Sequence, residues 1–233
     1  MKNILPIAVF SFLFLITSLS LAQMGTEEVG ATHYMTNKPI TIYPNASDYS
    51  GSVYENEEFA NGYIFKNGKT LASNVALRYN AKRDEIEVKK SLRVSNSKAK
   101  VLLKHEEIYI KMLNKLIVYC SIKEGIDRAG YFMVLQEGDN YALYKKIEKK
   151  FIEGRESVNS ITRDTPPAFK NVEIYYLVNK ATGSFDKFPK SRKGKLKVFT
   201  HNTKEVKNFV NVNKLNVNKE YALAKLVKFY DTL

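Results

Sequence analysis

Apolar and polar residues alternate along residues 61–90, and this alternation predicts antiparallel strands. Asn67-Gly68 interrupts it with a dipeptide typical of the two-residue type I′ turn, which needs a positive φ at both central residues. Tyr63 and Phe65 share one face before the turn. Period two continues after it at four apolar positions: Leu71, Val75, Leu77 and Tyr79. The stretch therefore predicts a hairpin with one buried face.

The opposite face of these strands is expected to meet water. Arg78 points away from the face of Leu77 and Tyr79. Residues 80–84 form a polar turn, and residues 85–89 then alternate charged and apolar side chains one by one. A strand of this kind buries its apolar side chains and leaves its charged ones solvated.

Short apolar runs joined by turn residues continue to about residue 145. A second hairpin is predicted around Leu113-Asn114-Lys115, and Gly138-Asp139 predicts a tight type II′ turn with Gly first. Residues 39–43 predict an N-terminal strand, and residues 172–178 predict the last strand of the sheet. Because no helical period interrupts these runs, the sequence predicts an antiparallel β-meander. It is either a sandwich or a partly closed barrel.

The period changes in the C-terminal segment. Two apolar stripes recur there at helical spacing, namely Val206, Phe209 and Val210, then Leu223, Leu226, Val227 and Tyr230. Residues 193–199 predict a further short helix. Asn202 or Thr203 and Asn218 are the expected N-caps. The segment buries too little to fold alone, so we expect it to dock on the sheet in an α+β fold.

The first residues have the pattern of a cleavable signal peptide. Lys2 gives the positive end, residues 4–16 are mostly apolar, and Ser20-Leu21-Ala22 places small residues before a cleavage site. The apolar run is shorter than the roughly 20 residues that a membrane span needs. We therefore expect export, to the periplasm or beyond. The predicted divisions are a signal peptide at 1–22, an extended segment at 23–52, a β domain at 53–184 and a helical segment at 185–233.

Charge lies mainly in the C-terminal half of the chain. Residues 143–233 hold 20 Lys and Arg against 9 Asp and Glu, and the whole chain has a net charge of +13. Most of this charge is expected to be solvated, but an anionic envelope surface is a possible partner. Nucleic acid is a poor candidate partner for an exported protein. The lone cysteine, Cys120, precludes an intramolecular disulfide, and its apolar neighbours predict that it is buried.

The sequence contains no catalytic or nucleotide-binding motif, so no catalytic residue, cofactor or metal is predicted. The three histidines are scattered. His105-Glu106-Glu107 is the nearest approach to a ligand cluster, but two ligands on one face do not make a metal site. We expect it to be a turn with solvated charges.

The densest run of positive charge follows the predicted sheet. Its members are Lys187, Lys190, Arg192, Lys193, Lys195 and Lys197. Phe185, Phe188 and Phe199 interleave with them, which suits contact with an anionic membrane surface if the rings are exposed. The favoured interpretation is that the rings anchor the segment to the sheet and the lysines are solvated.

Three short patterns resemble sequences of a known group. They are F-K-N-G-K at 65–69, L-R-Y-N at 77–80 and D-E-I-E-V at 84–88, and residues 206–233 resemble the same group's closing Lys- and Tyr-rich helical segment. The group consists of uncharacterised exported proteins of Gram-negative bacteria. The resemblance implies export and a sheet followed by closing helices. It implies no activity and no binding residues.

Three functional hypotheses follow. The first is a non-catalytic protein of the cell envelope that acts as a binding or scaffold module. The second is a periplasmic carrier, in which a half-closed sheet holds a lipid or other apolar ligand in a cavity lined in part by Cys120. The third is a hydrolase whose catalytic residues are dispersed in sequence.

Overall fold

The computed structural model describes residues 34–41, 49–157 and 163–233, so the predicted signal peptide and His33 lie outside the described residues. The described chain forms one antiparallel sheet of eleven strands, followed by three helices that pack on it. The predicted α+β class, with an antiparallel meander and a docked helical segment, is confirmed.

The strands follow one another along the chain with few long connections. They are β1 (Met35–Pro39), β2 (Ala60–Lys66), β3 (Lys69–Asn80), β4 (Glu85–Lys89), β5 (Lys100–Leu102), β6 (Ile108–Met112), β7 (Lys115–Cys120), β8 (Gly130–Gln136), β9 (Tyr141–Ile152), β10 (Ala168–Asn179) and β11 (Phe185–Lys187). A short 3₁₀ helix, Asn96–Lys98, precedes β5. The spatial order is β1-β5-β4-β3-β2-β6-β7-β8-β9-β10-β11.

The sheet is single, curved and open. Its concave side carries one apolar cluster that runs from Ile64 on β2 to Ile147 on β9. The Tyr79 hydroxyl on β3 donates to Asp84 at 2.7 Å and lies 3.4 Å from the Ile147 carbonyl on β9, although β3 and β9 are not neighbours in the sheet. The described residues do not divide into the two sheets of a sandwich, and their single sheet stays open instead of closing into a barrel.

The hairpins predicted at Asn67-Gly68 and around Leu113-Asn114-Lys115 both form. Asn67 and Gly68 have φ values of 50° and 76° between β2 and β3, and Leu113 and Asn114 have 49° and 58° between β6 and β7. A positive φ at both central residues matches the right-handed twist of the flanking strands, which is why Asn and Gly favour such turns. The local sequence therefore sets these two hairpins.

The face predicted for the first hairpin is wrong near its turn. Ile64 is fully buried there, whereas Tyr63 is 48 % exposed and Leu71 is 36 % exposed. The pairing of β2 with β3 shifts register between Gly62 and Phe65, and Asn74 on β3 has a φ of 54°. An irregularity of this kind changes which residues face the core, because side chains alternate strictly only along a regular strand.

The opposite face of β3 and β4 is not solvated, which corrects the second prediction. Arg78 is 8 % exposed, and its guanidinium lies between the rings of Tyr54 and Phe59, 3.7 and 4.3 Å from their centroids. It donates to Glu87 at 2.7 and 3.0 Å. The segment that precedes β2 covers this face, so the charged side chains pair with each other instead of water.

Two strands lie outside the predicted β domain at 53–184. β1 ends at Pro39 instead of beginning there, and it pairs with β5. β11 pairs with β10, so the strand predicted at 172–178 is not the last one. The extended segment and the helical segment thus each give one edge strand to the sheet.

The helices are α1 (Arg192–Val198), α2 (Thr203–Val212) and α3 (Glu220–Tyr230). Their apolar stripes cover Leu143 on β9 and Leu177 on β10 in a second apolar cluster. The predicted caps are not all correct. Asn202 occupies the N-cap of α2 in a left-handed conformation without a side-chain capping bond, and Lys219, not Asn218, is the N-cap of α3.

The connection between β8 and β9 also differs from the predicted type II′ turn. Gly138 is not among the residues with positive φ. It lies instead against the Asp231 carboxylate, where a β-carbon would clash. Glycine is needed here for a close approach and not for a left-handed backbone.

Candidate functional site

The predicted basic cluster lies on β11, on the connection after it and on α1. Ser191 starts α1, because its hydroxyl accepts the Gly194 N–H at 3.1 Å. Five of the six basic side chains are exposed, namely Lys187, Lys190, Arg192, Lys193 and Lys197. Lys195 is the exception and corrects the expectation of exposure. It is 7 % exposed and donates to the Asn218 side chain at 3.0 Å.

The interleaved aromatic rings belong to the core. Phe185, Phe188 and Phe199 are 4 %, 6 % and 0 % exposed. Phe199 contacts Phe188 and Tyr230 with ring centroids 5.6 and 4.9 Å apart. The interpretation that these rings anchor the segment to the fold is confirmed. They are not available to insert into a membrane.

A groove of about 510 Å3 lies where α1 meets α2. Seven residues line it: Lys193, Leu196, Lys197, Phe199, Thr200, Thr203 and Lys207. Leu196 is half-buried and gives the groove its accessible apolar surface, while Phe199 beside it is fully buried. Three lysines and two threonines complete the lining. Its volume is within the usual range for small-molecule sites, about 300–1,000 Å3.

The groove is electrostatically one-sided. None of its lining residues is acidic, and Lys193, Lys197 and Lys207 form no ion pair with any described residue. Ammonium groups close to one another repel, so a bound anion would lower the free energy of this arrangement. Thr203 also begins α2, whose positive end of the helix dipole adds to the same potential.

Only part of this groove could be predicted from the sequence. Lys193 and Lys197 are members of the predicted cluster, and they lie one helical turn apart on α1. Lys207 and Thr203 come from α2 and were missed. The short connection at 199–202 was the available signal, because it forces two helices to lie side by side. Lys187, Lys190 and Arg192 do not line the groove.

The His105 cluster is a solvated turn, as expected. The His105 Nδ1 atom accepts the Glu107 backbone N–H at 3.2 Å. Glu106 accepts both the N–H and the hydroxyl of Ser121, at 2.9 and 2.6 Å. These bonds lower the pKa of Glu106 to about 2. Within the described residues, no group of three His, Cys, Asp or Glu side chains is placed to hold a metal ion.

A charge cluster around the buried Lys145 ammonium connects α3 to the sheet, and its two carboxylates are exposed. The Lys145 ammonium on β9 donates to Glu220 at 2.6 Å and lies 3.7 Å from Glu173. The Tyr175 hydroxyl lies 2.8 Å from the Glu173 carboxylate and 3.1 Å from the Glu220 carboxylate. Every charged member has an opposite charge beside it, which is the pattern of a structural contact.

Cys120 is buried, as predicted, but not on the concave side of the sheet. It belongs to a cluster on the convex side with Phe132, Tyr176 and Phe185. Burial raises the pKa of its thiol to about 11. Side chains such as Ile64, Leu77, Ile110 and Ile117 fill the concave side and have no exposed surface. Cys120 therefore does not line the concave side, where the carrier hypothesis placed it.

Comparisons with protein-family models, with curated proteins and with solved structures found no match. In the described part of the chain, no helix has both the length and the apolar character needed to cross a bilayer.

Proposed function

We propose that this chain is an exported, non-catalytic binding module of the cell envelope, and that the groove between α1 and α2 is its binding site. The ligand class is an anionic amphiphile, meaning a molecule with a carboxylate or phosphate head and an apolar body. The predicted signal peptide and the resemblance to exported proteins support the location.

The observation that carries this proposal is the composition of the groove. Leu196 offers an apolar contact surface, and Lys193, Lys197 and Lys207 lie around it without a carboxylate in the lining. An apolar ligand would gain from the first part, and an anion would gain from the second. A ligand with both parts satisfies the whole lining.

The concave shape favours a single molecule over a flat membrane surface. The aromatic rings of the segment are buried, so the cluster lacks the exposed apolar groups with which interfacial segments enter a bilayer. The lining also offers no carboxylate, imidazole or thiol for acid–base or nucleophilic chemistry. These features support binding in preference to the hydrolase hypothesis.

The direct test is a calorimetric titration of the mature protein with decyl phosphate below its micelle concentration. Decanol and inorganic phosphate serve as probes for each half of the ligand. We expect decyl phosphate to bind at least about 10-fold more tightly than either, because a charge-assisted hydrogen bond is worth about 1.5–3 kcal/mol.

A matched pair of variants locates the site. K193Q/K197Q/K207Q removes the three ammonium groups of the groove and should weaken decyl phosphate binding at least about 10-fold. K187Q/K190Q/K204Q removes the same charge from exposed positions outside the groove. It should leave the affinity for decyl phosphate within about twofold of the wild type. Equal losses in both variants, or no binding of decyl phosphate at all, would contradict the proposal.

A further inference from the structure

Strand β9 extends past the end of one of its two neighbours. β8 begins at Gly130 and pairs with β9 around Lys145, whereas β10 remains paired with β9 as far as Ile152. Among the residues that the structure describes, residues 149–152 therefore have a strand partner on one side only. This open edge is about 13 Å long, at about 3.3 Å per residue.

The direction of the backbone groups on this edge follows from β10. The Phe169 N–H donates to the Ser50 carbonyl at 2.9 Å, on the side of β10 that faces away from β9. Phe169 lies opposite Phe151 in the ladder. In an antiparallel pair, opposed residues both point toward each other or both point away. The N–H and C=O groups of Phe151, and by period two those of Lys149, therefore point to the open edge.

A cleft of about 440 Å3 lies beside this edge. Its lining residues are Ala81, Lys82, Arg128, Glu148, Lys149, Lys150 and Phe151. The only acidic member, Glu148, is paired with Arg128 at 2.8 Å. Lys82, Lys149 and Lys150 form no ion pair with any described residue. Among the described residues, the cleft thus combines backbone groups that have no strand partner with three ammonium groups that form no ion pair.

Phe151 adds an apolar contact at the same edge. Its side chain is 44 % exposed, and so is that of Ile152. Burial lowers the pKa of the half-buried Lys149 ammonium, although Glu55 and Glu57 act in the opposite direction, so a further anion would stabilise its charged form. Lipid head groups and polyanions could meet the charges, but only another backbone could also pair with the free N–H and C=O groups.

We infer that the open edge of β9 is a docking site for an extended acidic peptide segment, which adds to the sheet as a further strand. Lysine on an edge strand repels a second copy of the same edge, which is a common protection against self-association. The same lysines attract an acidic strand, so they select the partner by charge. This site is separate from the α1–α2 groove and does not depend on the function proposed for it.

The test uses blocked nonapeptides and the ¹⁵N-labelled mature protein. A peptide of alternating Glu and Thr should bind and shift the amide resonances of Lys149 and Phe151. Its Lys-Thr counterpart should not bind. A Glu-Thr peptide N-methylated at its threonines keeps the charge but loses the backbone donors of one edge, and it should bind at least about 10-fold more weakly. Equal binding of the methylated peptide would overturn strand addition and leave a polyanion site.

Two protein variants complete the test. K149E/K150E should weaken binding of the Glu-Thr peptide at least about 10-fold, while K187E/K190E, with the same charge change on and after β11, should not. Phe151→Pro removes an N–H that points away from β10, a position where an edge strand tolerates proline. It should abolish binding and preserve the circular dichroism spectrum. Retention of binding in both K149E/K150E and Phe151→Pro would overturn the inference, as would a dimer that Phe151→Pro dissociates.

Discussion

The Asp231 carboxylate, just after α3, accepts the backbone N–H of Tyr141 at the start of β9 at 2.7 Å. It also accepts the N–H groups of Asp139 and Asn140 at 2.9 and 2.7 Å. One side chain therefore holds three consecutive donors of the β8–β9 connection. This contact fixes the C-terminal end of the chain on the sheet.

Asp231→Asn should destabilise the protein by about 1–3 kcal/mol, because an amide cannot accept all three donors and leaves some of them unsatisfied. Chemical denaturation at pH 7 measures the loss. Thr232→Ala, at the next residue, is the control and should change the free energy of unfolding by less than about 0.5 kcal/mol. An equal effect of both changes would contradict the role of the carboxylate.

The same contact makes stability depend on pH. Burial alone would raise the pKa of Asp231, but the three N–H donors and Lys180 together hold it below its ordinary value. A carboxyl group whose pKa is lower in the folded protein stabilises the fold at pH values above its pKa in the unfolded chain, about 3.9. This stabilisation is lost as the pH falls through the pKa of the folded protein. The difference in melting temperature between the wild type and Asp231→Asn should therefore shrink below about pH 4. A difference in melting temperature that stays constant down to pH 2 would contradict a stabilising role of the ionised Asp231 carboxylate.

The Arg78–Glu87 pair gives a second prediction about stability. The two side chains are 9 % and 1 % exposed. Glu87→Gln leaves the guanidinium buried without its counter-charge and should cost about 3–5 kcal/mol. Glu107→Gln breaks the exposed pair with Lys66, whose atoms are 3.7 Å apart, and should cost less than about 1 kcal/mol. Urea denaturation measures the free energy of unfolding of both variants. Similar losses would mean that water solvates the Arg78 guanidinium once the Glu87 charge is removed.

The fold shows where sequence patterns are sufficient and where they fail. Asn67-Gly68 determines its turn through the local φ preferences of two residues, so it could be predicted. The environment of Arg78 and Glu87 could not be predicted, because the segment that covers them is distant in sequence. Arg78 bonds to Glu57 and Tyr54 across separations of 21 and 24 residues. An alternating strand looks the same whether its polar face meets water or a covering segment.

Some residues of the candidate groove could likewise be predicted from the sequence, and others could not. Lys193 and Lys197 are visible as part of a charge run, whereas Lys207 joins them only through the packing of α2 on α1. The burial of Lys195 also depends on tertiary structure, since its partner Asn218 precedes α3. Charge density along a sequence therefore locates a basic region, and helix packing decides which of its side chains converge.

Cys120 should react slowly in the native protein. Its side chain is buried, and burial raises its pKa to about 11, so little thiolate is present at pH 8. Labelling by a thiol reagent should be on the order of 100-fold slower than in the urea-unfolded protein. Cys120→Ser should destabilise by about 1–3 kcal/mol, because a hydroxyl would be buried without a partner. Native labelling as fast as in urea would place the thiol at the surface.

Removal of α2 and α3 should expose the apolar surface that they cover. That surface includes Leu143 on β9, Leu177 on β10 and Phe199. Deletion of residues 202–233 is therefore expected to cause aggregation of the mature protein, as measured by light scattering. Deletion of residues 232–233 alone is the control and should leave it monomeric. A monomeric truncation with an unchanged melting temperature would show that the helices do not complete the fold.

The final prediction concerns membranes. If the exposed charge of α1 also meets an anionic surface, the mature protein should bind vesicles containing phosphatidylglycerol and not neutral ones. Each Lys or Arg near such a surface contributes about 1 kcal/mol, and the Debye length falls to a few ångström by about 0.5 M salt. Binding measured by vesicle sedimentation should therefore fade between about 0.05 and 0.5 M salt.

The variants for this experiment follow from the exposed side chains. R192Q/K193Q/K197Q removes three exposed charges from α1 and should abolish most vesicle binding, whereas K204Q/K219Q/K228Q removes three exposed charges from elsewhere in the helical segment and should not. Lys195 is left in place because it is buried against Asn218. Vesicle binding that survives both high salt and the α1 variant would require an apolar contact. If the protein binds decyl phosphate but not vesicles, the lysines of α1 bind single anionic molecules in the groove and do not contact a membrane surface.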